Sequence, residues 1–295
     1  MMKTSFTFKV TLLVLRLIGI KKMYSQTPIN VAQLRKGDVF KPKGCFWRKD
    51  KVTTFTILKS NITAINSSNE NQKLTIFIHG GAFVSGPAQH HWESIKTINK
   101  ALNNTIWLCN YPKAPETTID EINMNIDAIY LHALKSYSTQ NIQVIGDSAG
   151  GTLALTLVQR LIQNSQPVPS KIVAICPVAD ASFSHPEIDA IDKIDPMLGK
   201  EGVRSAKILC GQDLDLKSPT VSPLYGEVKG FPPTVLFLAT NDICYPDGQL
   251  FEKKLKKNLV ETTTYKGNGM PHIWPLLPIM REGKEALKQV IKELE

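Results

Sequence analysis

Residues 144–153, "VIGDSAGGTL", place a serine between glycines at the point where the hydrophobic pattern of the chain changes. Residues 141–145 form a short, largely β-branched apolar run that predicts a strand, whereas residues 152–162 carry apolar side chains at helical spacing. Glycine on both sides of Ser148 allows a tight turn between these two elements. A Gly-x-Ser-x-Gly sequence at such a junction predicts that Ser148 is exposed as a nucleophile. A glycine-rich loop that binds a phosphate is the alternative for so short a match.

The length and composition indicate one α/β domain with an accessory lid, with two smaller domains as the alternative. The chain has 295 residues and a formal charge of +9. The lysines are spread along the chain without interleaved arginines and aromatics, so they predict a solvated basic surface and no nucleic-acid partner. The cysteines form no C-x-x-C pair, which indicates buried thiols in a reducing compartment and no metal site. They are Cys45, Cys109, Cys176, Cys210 and Cys244.

The N-terminal residues 6–20 are mostly apolar and follow Lys3, as in an export signal. The run is short for a membrane-spanning helix, Arg16 interrupts it, and no small-residue cleavage site follows. Because Lys9 and Arg16 share one helical face, the sequence predicts a helix that lies on an apolar surface. We expect residues 1–35 to form this helical unit, as part of a lid or on the surface of a cytoplasmic protein. A signal peptide or a membrane anchor is the alternative.

Short apolar runs with helical patterns between several of them predict a mostly parallel central sheet flanked by helices. The predicted strands are residues 52–58, 74–78, 105–109, 142–145, 172–176 and 235–239, and the clearest helical patterns are residues 119–134 and 151–161. Ligands bind at the carboxyl ends of the strands in such sheets, and Ser148 follows one of them. Residues 179–232 are rich in turn-forming side chains, which predicts an insertion over the sheet. We assign residues 36–295 to the catalytic domain, with the insertion at about 180–231.

A nucleophilic serine needs a general base, and the base needs an acid that holds its tautomer. His272 lies in "GMPHIW", a predicted loop between the strand-like residues 262–265 and the C-terminal helix. Asp242 directly follows the predicted strand 235–239, whereas Asp247 is expected to open the next helix. We therefore expect His272 as the base and Asp242 as the acid. Ordinary loop residues at both positions are the alternative.

The segment "HGGAF", residues 79–83, directly follows the predicted strand 74–78. When a hydroxyl adds to an acyl carbonyl, negative charge develops on the oxygen and is stabilised by N–H donors that already face it. Adjacent glycines leave backbone amides unobstructed by side chains. We therefore expect the amides of Gly80, Gly81 and Ala149 to form an oxyanion hole, with an ordinary double-glycine loop as the alternative.

The order of these motifs resembles that of the hormone-sensitive-lipase-like esterases of the α/β-hydrolase superfamily, from about Thr54 to the C-terminal helix. "HGGAF" resembles the H-G-G-G loop of that family, "NYPKAPE" at residues 110–116 resembles its D-Y-R-L-A-P-E, and "GDSAGG" matches its nucleophile motif. "SPLYGEVKGFPPT" at residues 222–234 is similar to the segment before the acid, and "GMPHIW" is similar to the histidine loop. Ala82 stands where the family has a third glycine, and "DICYPD" stands where it commonly has D-P-L-R-D-E.

The resemblance implies an α/β-hydrolase fold in which the N-terminal segment and residues 179–232 form a helical lid over an acyl pocket. It also implies a catalytic triad of Ser148, Asp242 and His272. The order serine, aspartate, histidine along the chain is the one that α/β-hydrolases use.

We expect a serine carboxylesterase that cleaves short- to medium-chain carboxylic esters through an acyl-enzyme, with no metal ion or cofactor. The alternatives are a lipase-like enzyme whose N-terminal helix contacts a membrane, an amidase or peptidase, and a hydrolase-fold binding protein without chemistry. Phe83, Trp92 and Trp274 lie near the motifs and are candidates for lining the substrate pocket, with ordinary core positions as the alternative.

Overall fold

The computed structural model describes residues 4–68 and 73–295. Its strands are β1 Val52–Ile57, β2 Ser60–Ile65, β3 Leu74–Ile78, β4 Thr105–Asn110, β5 Ile142–Asp147, β6 Lys171–Ile175, β7 Thr234–Asn241 and β8 Thr262–Pro271. They form one sheet in the spatial order β1-β2-β4-β3-β5-β6-β7-β8. The pairs β1–β2 and β2–β4 are antiparallel, and all the other neighbours are parallel.

Helices cover both faces of this sheet. They are α1 Phe6–Ile18, α2 Ile20–Tyr24, α3 Val31–Leu34, α4 Gln89–Leu102, α5 Ile119–Ala133, α6 Ala149–Gln163, α7 Ile188–Asp192, α8 Lys200–Gly211, α9 Tyr245–Lys257 and α10 Arg281–Glu293. Apolar residues of α5, α6 and α9 pack in the core on one face of the sheet, and those of α4 and α10 pack in the core on the other.

The central strands β3 and β5 are buried along their whole length and are largely apolar because helices cover both of their faces. Successive side chains of a strand point to opposite faces. In β3, Ile76 and Ile78 pack in one core and Phe77 packs in the other, while in β5 Val144 and Ile145 divide in the same way. The predicted α/β fold with a mostly parallel sheet is therefore confirmed.

Each of the six predicted strands is a strand of the sheet, and the structure adds two features. β2 was not predicted, because its sequence "SNITAI" mixes polar and apolar side chains over only six residues. The strand-like residues 262–265 continue as β8 to Pro271, so that His272 directly follows the strand. Both additions lie at the two sides of the sheet, where strands are less completely apolar.

The N-terminal helix α1 packs against the C-terminal helix α10. Its N-cap is Ser5, whose Oγ accepts a hydrogen bond from the amide of Phe8 at 3.0 Å. The same Oγ donates to Oε2 of Glu282 at 2.8 Å, which joins the starts of the two helices. In the described part of the chain, every helix is too short or too polar to cross a membrane.

Two segments, residues 5–38 and 188–211, pack together over the carboxyl edge of the parallel strands; we call them the cap segments. Nζ of Lys21 donates to Oδ1 of Asp192 at 2.5 Å and to the carbonyl oxygen of Leu198. The amide of Ile29 donates to Oγ of Ser205 at 2.9 Å. These side-chain contacts connect stretches of chain that are more than 150 residues apart in sequence.

The five cysteines are free thiols. The prediction of buried thiols is confirmed for Cys109, Cys176, Cys210 and Cys244 and is wrong for Cys45, which is exposed.

Candidate active site

Ser148 occupies a strained turn between β5 and α6. Its backbone has φ 51° and ψ −123°, an unfavourable conformation for a residue with a side chain. The amide of Ser148 donates to the carbonyl oxygen of Ile175 in the neighbouring strand at 2.8 Å. A Cβ atom at Gly150 would collide with the carbonyl oxygen of Ile78, so only glycine fits there. The predicted strand–turn–helix is therefore present, and it holds Ser148 above the edge of the sheet.

His272 and Asp242 form a buried pair at the ends of neighbouring strands β8 and β7. Nδ1 of His272 lies 2.7 Å from Oδ2 of Asp242, while Oδ1 of Asp242 accepts from the amide of Cys244 at 2.9 Å. A carboxylate at Nδ1 places the ring proton there and leaves Nε2 as the acceptor. Burial alone would lower the pKa of His272, but the Asp242 charge and its hydrogen bond raise that pKa above the ordinary value.

The glycine loop after β3 lies beside the turn of Ser148. The amide of Gly80 donates to Oδ1 of Asp147 at 3.0 Å and is therefore already engaged. Within residues 4–68 and 73–295, the amides of Gly81 and Ala149 donate to no protein acceptor. Ala149 is the first residue of α6, where the helix dipole favours negative charge.

A cavity of about 740 Å³ connects these groups. One side of the cavity, which we call the lower wall, contains Ser148, His272 and Gly81. The other side, the cap wall, is formed by the cap segments, whose apolar lining side chains include Leu15, Met23, Met197 and Val203. A largely apolar cavity with a few convergent polar groups is the usual form of a small-molecule site.

Comparison with known proteins identifies the family. A family model described as the alpha/beta hydrolase fold matches residues 75–276, which is more than half of the chain. The chain belongs to the α/β-hydrolase fold family. The expectation that rested on the motifs is therefore confirmed for the family and for the fold.

Several of the similar proteins are named as esterases or lipases. An esterase of Acinetobacter venetianus is 28% identical over 63% of this chain, and the match spans 62% of that relative. A carboxylesterase/phospholipase, LipF, of Mycobacterium tuberculosis is 26% identical over 83% of this chain and 69% of its own length. The crystal structure of an esterase from the bacterial hormone-sensitive lipase family superposes with a TM-score of 0.85 at 23% identity, covering 99% of this chain and 98% of that one. This last likeness is one of fold.

Asp147 connects the glycine loop of this α/β-hydrolase to the turn that holds Ser148. Besides the amide of Gly80, its carboxylate faces Nε2 of His91 at 3.2 Å. Nδ1 of His91 accepts from the amide of Ala88 at 2.8 Å, so the ring proton lies on Nε2 and points to Asp147. Burial would raise the pKa of Asp147, but His91 and the Gly80 amide hold it below its ordinary value. The sequence analysis missed His91 in this role.

Asp195 is a second residue that the sequence analysis missed. It is buried, and its Oδ1 accepts from the amides of Met197 and Leu198 at 2.8 and 2.9 Å. Its Oδ2 accepts from the amide of Ile243 at 3.0 Å, directly after Asp242. Burial and the Asp242 charge raise the pKa of Asp195. The residue therefore fixes the loop that begins with Asp242, which we call the acid loop after its predicted role, to the cap segment that ends with α8.

Two groups of side chains have metal-ligand atoms within 4.8 Å of one another in the described residues: His90, His91 and Asp147, and Cys176, Asp242 and His272. A metal ion in the first group would displace the His91–Asp147 contact, and one in the second would displace the His272–Asp242 contact. The amide of Ile273 already donates to Sγ of Cys176 at 3.3 Å. Apart from His90, whose buried Nε2 has no hydrogen-bond partner among the described residues, the ligand atoms of both groups therefore serve the protein's own hydrogen bonds.

The remaining predicted residues lie outside the cavity wall. Phe83 and Trp274 are buried in the two cores and are not among the described residues that line the cavity. Trp92 is also buried, and its indole N–H donates to the carbonyl oxygen of Val39 at 2.6 Å. Asp247 lies in the first turn of α9, as expected, and burial raises its pKa to about 7.

Proposed function

We propose that this protein is a serine carboxylesterase that cleaves short- to medium-chain esters through an acyl-enzyme. The observation that carries the proposal is the buried His272–Asp242 pair, of which His272 lines the same cavity as Ser148, and Ser148 stands on a strained turn. The esterase names of the relatives support the reaction class. We propose that the cap segments supply the lid, for which the sequence offered residues 1–35, as part of a lid or as a surface helix, and about 180–231; residues 1–3 lie outside the described residues.

The reaction begins when Oγ of Ser148 attacks the ester carbonyl carbon and its proton passes to Nε2 of His272. Asp242 holds the imidazole through Nδ1 and stabilises its charged form. The oxyanion is held by the amides of Gly81 and Ala149. Because the amide of Gly80 donates to Asp147, we give Gly80 the role of fixing the loop and not that of a donor.

The tetrahedral intermediate then collapses, and the carbon–oxygen bond to the alcohol breaks. His272 gives its proton to the departing alkoxide and becomes neutral again. A water molecule gives a proton to the same nitrogen and adds to the acyl group, which leaves as the acid while Ser148 recovers its proton. No step requires a metal ion or a cofactor.

The test compares the wild type with Ser148→Ala on p-nitrophenyl esters from acetyl to palmitoyl, at matched concentrations of folded protein. We expect rapid cleavage of the short and medium chains by the wild type and a loss of about 10⁴-fold or more in kcat for the variant. Equal rates for the two proteins on every chain would overturn the proposal and favour a binding protein that has kept the fold.

A second candidate is a lipase-like enzyme that acts on lipid esters at a surface. α1 exposes apolar side chains to solvent, and Phe6 and Leu17 are 80% and 77% exposed. Such a helix can lie across a lipid interface. The variant Phe6→Ser/Leu17→Ser is expected to lose activity on an emulsified long-chain ester and not on a dissolved butyrate ester. Unchanged activity of this variant on the emulsified ester would contradict the lipase hypothesis.

A further inference from the structure

Lys207, on α8, lines the cavity that holds Ser148 and His272. Its side chain is fully buried, and among the described residues Nζ has no hydrogen-bond partner. Nζ lies 3.8 Å from the centroid of the Phe83 ring, which supplies a cation–π contact but no counter-charge. A buried ammonium group without an anion is unfavourable, because its lost hydration is not replaced.

The groups that face Lys207 from the surrounding elements do not neutralise it. The thiols of Cys210 and Cys244 are the ionisable groups that act on it, and burial raises the pKa of both thiols, so they stay neutral. Two carboxylates line the same cavity, but Asp38 accepts from the amide of Gly86 at 2.6 Å and Asp147 faces His91. Lys207 is thus a cation in a largely apolar cavity that is left for a ligand to pair.

We infer that the substrate carries a carboxylate in addition to its scissile ester, and that Lys207 pairs with this carboxylate. A single buried cation matches a monovalent anion better than a phosphate, which brings up to two charges. Burial lowers the pKa of Lys207 to about 8, so the amine is still largely protonated at pH 7. The inference rests on the proposed esterase function, because it concerns the substrate class of that same site.

The test uses two pairs of esters in which a carboxylate replaces a terminal methyl group. Ethyl hydrogen adipate and ethyl hexanoate place the charge on the acyl side, while 4-acetoxybutanoate and butyl acetate place it on the alcohol side. The rate of acid release at constant pH gives kcat/KM for each ester. For one of the two pairs, we expect the ratio of kcat/KM for the anionic ester to kcat/KM for the neutral ester to be about 10- to 100-fold lower in Lys207→Met than in the wild type. This is the size of effect expected for a lost charge-assisted hydrogen bond.

Lys36→Met is the matched control, because Lys36 lines the same cavity but is exposed. Its ratio is expected to change less than about twofold, since an exposed charge pairs weakly. Ratios of both ester pairs that stay the same in Lys207→Met would overturn the inference while leaving the esterase proposal intact. A fall that occurs in Lys36→Met and not in Lys207→Met would overturn it too.

Binding provides a readout that does not depend on turnover. Calorimetry with ethyl hydrogen adipate and 4-acetoxybutanoate compares Ser148→Ala with Ser148→Ala/Lys207→Met and Ser148→Ala/Lys207→Gln, so that one neutral variant can replace the other if it does not fold. We expect one anionic ester to lose about tenfold or more in affinity with both. Equal affinity in all three proteins would contradict the role of Lys207, whatever the outcome of the kinetic test for Ser148.

Discussion

The two walls of the cavity are held in place by different interactions. The lower wall is fixed by the backbone: Ser148 hydrogen-bonds to the neighbouring strand, and the His272–Asp242 pair lies at adjacent strand ends. The cap wall is held by side chains that connect distant parts of the sequence, such as Lys21 with Asp192. On the proposed function, the groups that react with the ester lie on the first wall, and the group that we infer to select the substrate lies on the second. Changes to the first should affect every ester, and changes to the second should distinguish between esters.

The largest effect within the lower wall, after loss of the serine itself, is expected from Asp242→Asn. The amide cannot stabilise the imidazolium and favours the wrong tautomer of His272, so kcat should fall about 10⁴-fold for all esters alike. Asp247→Asn is the matched control, because Asp247 is also buried but does not line the cavity and is not among the charges that raise the pKa of His272. A steady-state assay on p-nitrophenyl butyrate measures both variants. A larger loss of kcat in Asp247→Asn than in Asp242→Asn would mean that Asp247, and not Asp242, is the acid that holds His272.

Gly81→Ala should produce the next largest loss, about 10²- to 10³-fold in kcat, because it disturbs one oxyanion donor. Gly81 has φ 122°, and an added Cβ would collide with the carbonyl oxygen of Ser85. The loop must therefore move, and the amide moves with it. Gly211→Ala adds the same methyl group at a position with ordinary contacts. A nearly wild-type kcat in Gly81→Ala would mean that this amide does not hold the oxyanion.

In the cap wall, Lys207→Met should increase stability at pH 7. The pKa of Lys207 is lowered from 10.5 to about 8, so the unfolded chain holds this proton more tightly than the folded one. The resulting cost is fully present below pH 8 and disappears as the pH rises to about 10.5. Since one pKa unit corresponds to about 1.4 kcal/mol, its upper limit is about 3 kcal/mol.

Urea unfolding of the wild type and Lys207→Met at pH 7 and at pH 10 measures this difference. The gain should be larger at pH 7, and Lys36→Met should show no comparable gain because Lys36 is exposed. A loss of stability in Lys207→Met at pH 7 would indicate that the protein itself already provides an anion for this amine.

The lower wall could be predicted from the sequence because each of its elements has a local signature. The apolar strands, the glycines around Ser148 and the position of Asp242 directly after β7 are all visible within short windows of sequence. The engagement of the Gly80 amide by Asp147 could not be predicted, because two adjacent glycines look equally free in a sequence.

The cap wall could not be predicted because its contacts are not local. Asp195 lies 48 residues from Ile243, whose amide it binds, and "DKIDPM" has no feature that points to the acid loop. Lys207 is one of many lysines in a basic chain, and although its spacing from Val203 and Cys210 places it on the apolar face of α8, the sequence does not show what that face packs against. Buried charge is the signal in both cases, and burial depends on how the cap segments pack.

The smallest effect is expected from Asp195→Asn, on the pH dependence of kcat/KM. Asp195 belongs to a cap segment, yet its charge acts on His272 in the lower wall. The pKa of His272 is raised above 6.5, with Asp242 as the main favourable charge and Asp195 as a weaker one. Since the base must be neutral, kcat/KM of the wild type should fall with decreasing pH through a midpoint above about 6.5. Asp195→Asn removes one favourable charge, so this midpoint should move to lower pH by less than about one unit.

The pH profile of kcat/KM on p-nitrophenyl acetate separates this electrostatic effect from a merely structural one. A looser acid loop would lower the plateau without moving the midpoint, whereas the loss of a charge moves the midpoint in the stated direction. Asp192→Asn is the control, because Asp192 also lies in the cap segment but pairs with Lys21 and is not among the charges that raise the pKa of His272. If the midpoint of the pH profile does not move in Asp195→Asn, the cap segments do not affect the pKa of His272, and their proposed role is limited to substrate selection. If it moves to lower pH, the cap segments also raise the pKa of the base.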